Sequence, residues 1–141
     1  MATRHPCMNC ETGTMTEDVR DVVVELNGLS RTVPQIRGMF CDTCEEIEFS
    51  DKDSAARYAE AMDALVAERK AAIGREVKSL RKKLKLTQRQ ASRIFGGGIN
   101  AFSRYERGVV EPPRAVLTLL HVMERHPEVR DEICREQGLY G

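Results

Sequence analysis

Apolar residues change period along this chain, and the changes mark its elements. Two β-rich runs come first, Val22-Val23-Val24-Glu25-Leu26 and Leu29-Ser30-Arg31-Thr32-Val33. Asn27-Gly28 between them predicts a hairpin, since a type I′ turn needs positive φ at both central positions. From Ser50 the spacing switches to three and four. Ala55, Tyr58, Ala59, Met62, Leu65, Val66 and Ile73 form one stripe of a helix expected from Ser50 to Ala72. Ser50 with Asp53 three residues on reads as its start, of the capping-box kind. The stretch Ala67 to Gly74 is read as a hinge between two halves.

The second half is helical throughout. Arg75–Leu84 predicts a helix with Val77, Leu80 and Leu84 inward and Lys78, Arg81, Lys82, Lys83 and Lys85 around the rest. Thr87 caps the next, Gln88–Phe95, whose buried face is Ala91, Ile94 and Phe95. Gly96-Gly97-Gly98 makes a turn, and Ile99–Arg107 a third helix stopped by Gly108. Glu111-Pro112-Pro113 breaks the chain, with Pro113 suited to the first turn of a fourth helix. Val116, Leu117, Leu119, Leu120 and Met123 make that helix too apolar for one-sided packing, which suggests a dimer seam. His126-Pro127 turns into a last helix, Glu128–Gln137.

Charge divides the chain at the same place. Residues 1–72 carry 8 Lys/Arg against 14 Asp/Glu, a balance of −6, and residues 73–141 carry 14 against 8, a balance of +6. The zero net charge thus hides two halves suited to different partners. Within Ile73–Arg107 there are 10 basic and 2 acidic side chains, the footprint expected where phosphates are neutralised. Nothing approaches the roughly 18 apolar residues of a membrane span, and Met1–Cys10 lacks the apolar core of a signal peptide. A cytoplasmic protein is expected.

In that reducing compartment paired cysteines hold metal more readily than they form disulfides. Cys7-Met8-Asn9-Cys10 and Cys41-Asp42-Thr43-Cys44 are two C-x-x-C knuckles of identical spacing. Each lets two thiolates of one tight turn face the same ion, and together they supply a closed tetrahedral site. Four soft ligands with no open position suit one structural zinc ion. A redox dithiol would need only one pair, and an iron site of the rubredoxin kind is the other alternative. Knuckle, hairpin, knuckle reads as a zinc ribbon. Some 45 residues bury little core, so roughly 10–16 kcal/mol of apparent zinc binding becomes folding energy.

The fold class is therefore α+β: a zinc ribbon with a β-hairpin and a following helix over residues 1–72, joined to an all-α helix-turn-helix domain of about five helices over residues 73–141. In a helix-turn-helix, the second motif helix enters the major groove by its N-terminal end. Ile99, Asn100 and Arg104 lie at or near that end, and Asn100 and Arg104 share a face. Asn matches adenine, Arg matches guanine, and Ile touches a thymine methyl. Lys83, Gln88, Arg89 and Arg93 are cast as phosphate contacts, which position without specifying. Phe102 and Tyr105 belong to the core. The bland alternatives are a helix N-cap for Asn100 and a surface ion pair for Arg104.

Leu86-Thr87-Gln88, Gly96, Ser103-Arg104, Glu106 and Gly108 resemble, in register, the helix-turn-helix of phage-repressor-like (Xre or Cro type) regulators. That resemblance implies a structural pair between Arg81 and Glu106, while Gly97 departs from the apolar residue usual there. Phe95-Gly96-Gly97-Gly98-Ile99-Asn100-Ala101-Phe102-Ser103-Arg104-Tyr105-Glu106, placed behind two C-x-x-C knuckles, is similar to the MqsA (YgiT-type) antitoxins over nearly the whole chain. The first knuckle lacks the proline common there, and the tail from Cys134 to Gly141 is longer. The resemblance implies a homodimer through the C-terminal domain. Its zinc-bearing N-terminal domain would block an mRNA-cleaving toxin of the MqsR type. Its helix-turn-helix would repress the toxin-antitoxin operon at palindromic double-stranded operator DNA, with the positions of Asn100 and Arg104 reading bases.

Other candidates have plainer readings. Cys134 is expected to be a semi-buried free thiol, His121 an interface or core histidine, and His5 a spare beside four cysteines that complete the site. Asp42, Glu45, Glu46, Glu48, Asp51 and Asp53 form a solvated face or a patch for a basic partner. No catalytic group or organic cofactor is expected. A zinc-ribbon helix-turn-helix regulator without a toxin, sensing metal or redox state, is the first rival. An enzyme with a DNA-binding tail is the second.

Overall fold

In the computed structural model residues 3–139 are described, and they fall into two compact units that divide between Val66 and Ala67. The first is built on a four-stranded antiparallel sheet in the order β1-β2-β3-β4: β1 (Arg4–Pro6), β2 (Thr14–Leu26), β3 (Leu29–Cys41) and β4 (Ile47–Phe49). Leu26 faces Leu29 across a two-residue turn with Asn27 at φ 50° and Gly28 at φ 85°, the positive pair that the Asn-Gly signal requires. The strands are longer than their apolar runs and reach back to Met15 opposite Cys41, so one hairpin ties the two knuckles together.

A bulge makes that length possible. Val22 pairs with Val33 but Arg20 with Ile36, so β3 carries one extra residue around Pro34-Gln35. Gln35 takes φ 52°, and its N–H donates to Asp21 Oδ1 at 2.9 Å. The extra residue moves the inward positions from Val33 to Ile36 and Phe40, all buried. Without it the pleat would put Gln35 into the core. Val24, Val33, Ile36, Phe40 and Leu65 form this core, with Tyr58, Ala61 and Met62 packed on it from the helix after β4.

That helix, α1 (Lys52–Lys83), corrects the sequence reading twice. It starts behind Asp51, not Ser50: Asp51 Oδ1 accepts the Ser54 N–H at 2.6 Å, which satisfies a first-turn donor. It also runs on without a break where a hinge between two helices was expected, with Gly74 in its interior. The reason is packing. A Cβ at Gly74 would lie 2.7 Å from the Tyr105 carbonyl oxygen and 2.9 Å from that of Glu106, so this glycine admits a close backbone approach and does not end a helix.

The second unit contains the end of α1 with α2 (Gln88–Phe95), α3 (Ala101–Glu106), α4 (Arg114–Arg125) and α5 (Pro127–Glu136). Pro113 stands at the N-cap of α4, outside the first turn, and Pro127 takes the first position of α5. The core joins Val77, Leu80, Leu84, Leu86, Ala91, Phe102, Tyr105, Leu120, Met123 and Cys134. Phe102 is fully buried, its ring 5.5 Å from Phe95 and 5.4 Å from Tyr105. Val116, Leu120 and Met123 of α4 are buried here, and Leu117 and Leu119 pack partly against the same core. Much of the apolar excess of α4 is thus used within the unit. Cys134 is more buried than the semi-buried thiol expected, at 3 % exposure.

Candidate functional site

The hairpin register brings the four knuckle cysteines together: all their sulfurs lie within 4.8 Å of one another. Cys7 Sγ is 3.7 Å from Cys44 Sγ, and Cys10 Sγ is 3.7 Å from Cys41 Sγ. A tetrahedral zinc with Zn–S near 2.3 Å sets sulfur–sulfur edges of roughly 3.8 Å, which these two edges match. Backbone amides aim at the sulfurs. Gly13 N–H donates to Cys10 Sγ at 3.3 Å, and those of Thr43 and Cys44 donate to Cys41 Sγ at 3.3 Å. Such bonds stabilise thiolate charge and suit a metal-holding set.

The backbone of Thr12, then its hydroxyl, lowers the Cys10 thiol to about 6. At Cys7 the amide of Cys10 pulls downward, but burial and the Cys44 and Cys41 sulfurs outweigh it and push the thiol up to about 11. Gly13 is a residue that motif reading passed over. A Cβ there would meet Cys41 Sγ at 2.3 Å, so the loop after the first knuckle closes on the cluster only with glycine. Its position three residues after Cys10 was the available signal. Asp42 fixes the second knuckle, accepting the Thr14 N–H at 2.9 Å and the Thr43 hydroxyl at 2.8 Å. Those two donors lower its carboxyl, the Thr14 amide first.

The acidic cluster is partly engaged. Glu48 meets His5 Nε2 at 3.1 Å, and Asp53 meets Arg57 Nε at 2.9 Å. His5 thus faces a carboxylate.

In the helical unit, Thr87 and Gln90 close a reciprocal capping box at the start of α2, with bonds of 3.1 Å and 2.9 Å. Gly96, Gly97 and Gly98 have φ of 79°, 90° and 94°, a run of left-handed geometry that only glycine adopts without strain. This turn swings the chain into α3. The expected third helix began at Ile99, but Ile99 and Asn100 are turn residues and α3 starts at Ala101. Gly98 O accepts the Ala101 N–H at 3.1 Å, which makes Ile99 and Asn100 the central pair of a β-turn.

Ile99 is 62 % exposed, and Asn100 and Arg104 are exposed beside it. Lys83, Gln88, Arg89 and Arg93 are all exposed as well. Arg89, Arg93 and Ile99 line one groove of about 450 Å³ with Thr87 and Leu139. Lys83, at the end of α1, borders a different one. Arg81 grips Glu106 through two 2.9 Å bonds and donates to Leu86 O at 2.9 Å, which fixes α3 to α1. His121 is half-exposed, 2.7 Å from Glu76.

The sequence model described as the antitoxin component of a bacterial toxin-antitoxin system, MqsA, matches residues 5–134. The antitoxin MqsA of Escherichia coli (strain K12) is 37 % identical over 128 residues, 90 % of this chain and 98 % of that protein. The chain belongs to the MqsA antitoxin family. A solved structure of the N-terminal domain of E. coli MqsA shares 23 % identity, covering 45 % of this chain and 94 % of that one at a TM-score of 0.36. Among the described residues, no helix of this MqsA-family chain is long and apolar enough to cross a membrane.

Proposed function

We propose that this chain is the antitoxin of a type II toxin-antitoxin pair. Through its zinc-bearing residues 1–72 it neutralises an mRNA-cleaving toxin of the MqsR type. As a homodimer it represses its own operon by binding palindromic DNA with α2 and α3. It acts by binding, without turnover, in the cytoplasm, where thiols stay reduced.

The observation that carries the DNA half is the set Ile99, Asn100 and Arg104, exposed together on a reading front that the Arg81–Glu106 pair holds in place. Among the described residues, neither Asn100 nor Arg104 spends its side chain on an intramolecular hydrogen bond. Their donors and acceptors are available to base edges. Lys83, Gln88, Arg89 and Arg93 supply the phosphate contacts. Val109 and Val110, 53 % and 41 % exposed, support an apolar contact with a second copy.

Cys7, Cys10, Cys41 and Cys44 would hold the zinc, which supplies a cross-link between the chain's start and the far end of its hairpin. The acidic balance of the first 72 residues favours a basic partner, as a protein that handles RNA should be.

Fluorescence anisotropy with a duplex from the region upstream of the coding sequence tests this. Arg104→Ala should remove sequence preference while leaving zinc content intact. Arg93→Ala should weaken binding to all sequences and lower the salt slope by about one unit. Undiminished sequence preference in Arg104→Ala would refute the assignment of the reading helix.

A further inference from the structure

Helix α3 starts with an uncapped residue. Asn is among the best N-cap residues, and Asn100 stands at the N-cap of α3, yet its side chain bonds no first-turn amide. Its backbone conformation accords with this. At φ −101° and ψ 8° it has the bridge-region geometry of a turn residue, whereas a capping residue takes extended geometry to fold its side chain back over the helix end. The amide that a cap would satisfy is not orphaned, however. The Phe102 N–H donates to Ser92 Oγ at 3.3 Å, from α2, ten residues earlier. Ser92 is 4 % exposed, one of the few buried polar side chains, and Phe102 is fully buried.

We propose that Ser92 is a positioning residue for DNA recognition: by capping α3 from α2, it releases the Asn100 carboxamide to read a base. This rests on the reading of α3 as the DNA-reading helix. One buried donor has few alternatives. Water has no access to the Phe102 amide, and an unpaired buried N–H is strongly disfavoured. With Ser92 Oγ present, the amide is satisfied and Asn100 stays in its turn, where its backbone carbonyl still accepts the Arg104 N–H at 3.1 Å. With the hydroxyl removed, Asn100 is the neighbouring group suited to the vacant role. Taking it would turn the Asn100 backbone from its turn geometry to the extended one of a cap and swing the carboxamide from the surface onto the helix end, away from any base. Arg104, a full turn further on, would keep its place.

The test is a base-pair scan. Anisotropy is measured on the upstream duplex with single base-pair substitutions across each half-site, using the full-length protein with zinc. Asn100→Ala should abolish discrimination at one base pair per half-site, a loss of roughly 5- to 150-fold for a bidentate contact. Ser92→Ala should abolish discrimination at that same base pair and leave the one read by Arg104 unchanged. The double variant should discriminate no worse than Asn100→Ala, because a residue acting through Asn100 has nothing left to act on. A residue that only stabilises the fold would instead lower affinity evenly at all positions.

Should Ser92→Ala fail to fold, Ser92→Cys keeps the shape with a weak sulfur acceptor and gives the same pattern at smaller amplitude. Discrimination retained in the Ser92 variants, or losses that add in the double variant, would overturn the proposal and leave the reading of α3 standing. No effect of Asn100→Ala at any base pair would overturn that reading and this proposal with it.

Discussion

Replacing Glu106 by Gln isolates what holds the reading helix. The Arg81 guanidinium meets Glu106 through two parallel bonds of 2.9 Å, with side chains only 12 % and 4 % exposed. Gln keeps the size but removes the charge, leaving Arg81 beside a neutral amide in a site largely shut to water. Breaking one side of such a buried pair costs about 3–5 kcal/mol, chiefly because the remaining charge is stranded. The second unit offers its own control. Arg69 and Glu111 form a bond of 2.7 Å, but their side chains are 30 % and 38 % exposed, and pairs of that kind contribute about 0–1 kcal/mol. Urea unfolding followed by the helical circular dichroism signal should therefore show a midpoint lower by more than about 1 M for Glu106→Gln, at unchanged slope. Arg69→Ala should move it far less. Equal shifts for the two variants would refute the argument that burial, rather than bond length, decides the contribution.

Other consequences can be checked separately. Gly13→Ala puts a methyl 2.3 Å from Cys41 Sγ, so zinc content by elemental analysis and competition with a chelator should both fall at least tenfold, with the helical unit still folded. Gly74→Ala raises intrinsic helix propensity by about 1 kcal/mol, yet its Cβ would press on the Tyr105 carbonyl at 2.7 Å. Net destabilisation is expected, and a higher unfolding midpoint would contradict it. The Ser54 backbone amide, then its hydroxyl, holds the Asp51 carboxyl below its ordinary range. Its folded pKa is thus the lower one: its contribution is complete above about pH 3.9 and is lost as pH falls through the folded value. Asp51→Asn should flatten that acid limb in a pH series of unfolding midpoints.

What could be read in advance was what is local. Asn27-Gly28, the Thr87 cap of α2 and the two C-x-x-C turns are each specified within four residues, and the structure holds each of them. The strands β1 and β4 have three residues each and no periodicity to detect; they exist because Met15 and Phe40 offer paired edges at a distance in sequence. The second run ended at Val33 in the sequence, because the bulge around Pro34-Gln35 that lets β3 continue is set by pairing with β2 and not by local periodicity. Gly74 looked like a helix end because propensity is local, whereas the carbonyls that require its missing Cβ belong to residues about thirty positions later. At the candidate DNA interface, residue types pointed to Asn100 and Arg104. The Ser92 hydroxyl gave no signal, since its partner is the backbone of another helix.

The central claim is that one chain restrains a toxin and reads DNA. Its most direct test is co-expression of the full-length protein with the product of the adjacent reading frame, followed by affinity capture with zinc present. A small basic ribonuclease should be retained, its growth arrest should be relieved, and Cys41→Ser should abolish both effects. An adjacent product that is neither captured nor neutralised, beside intact operator binding, would contradict it and leave a zinc-stabilised repressor without a toxin.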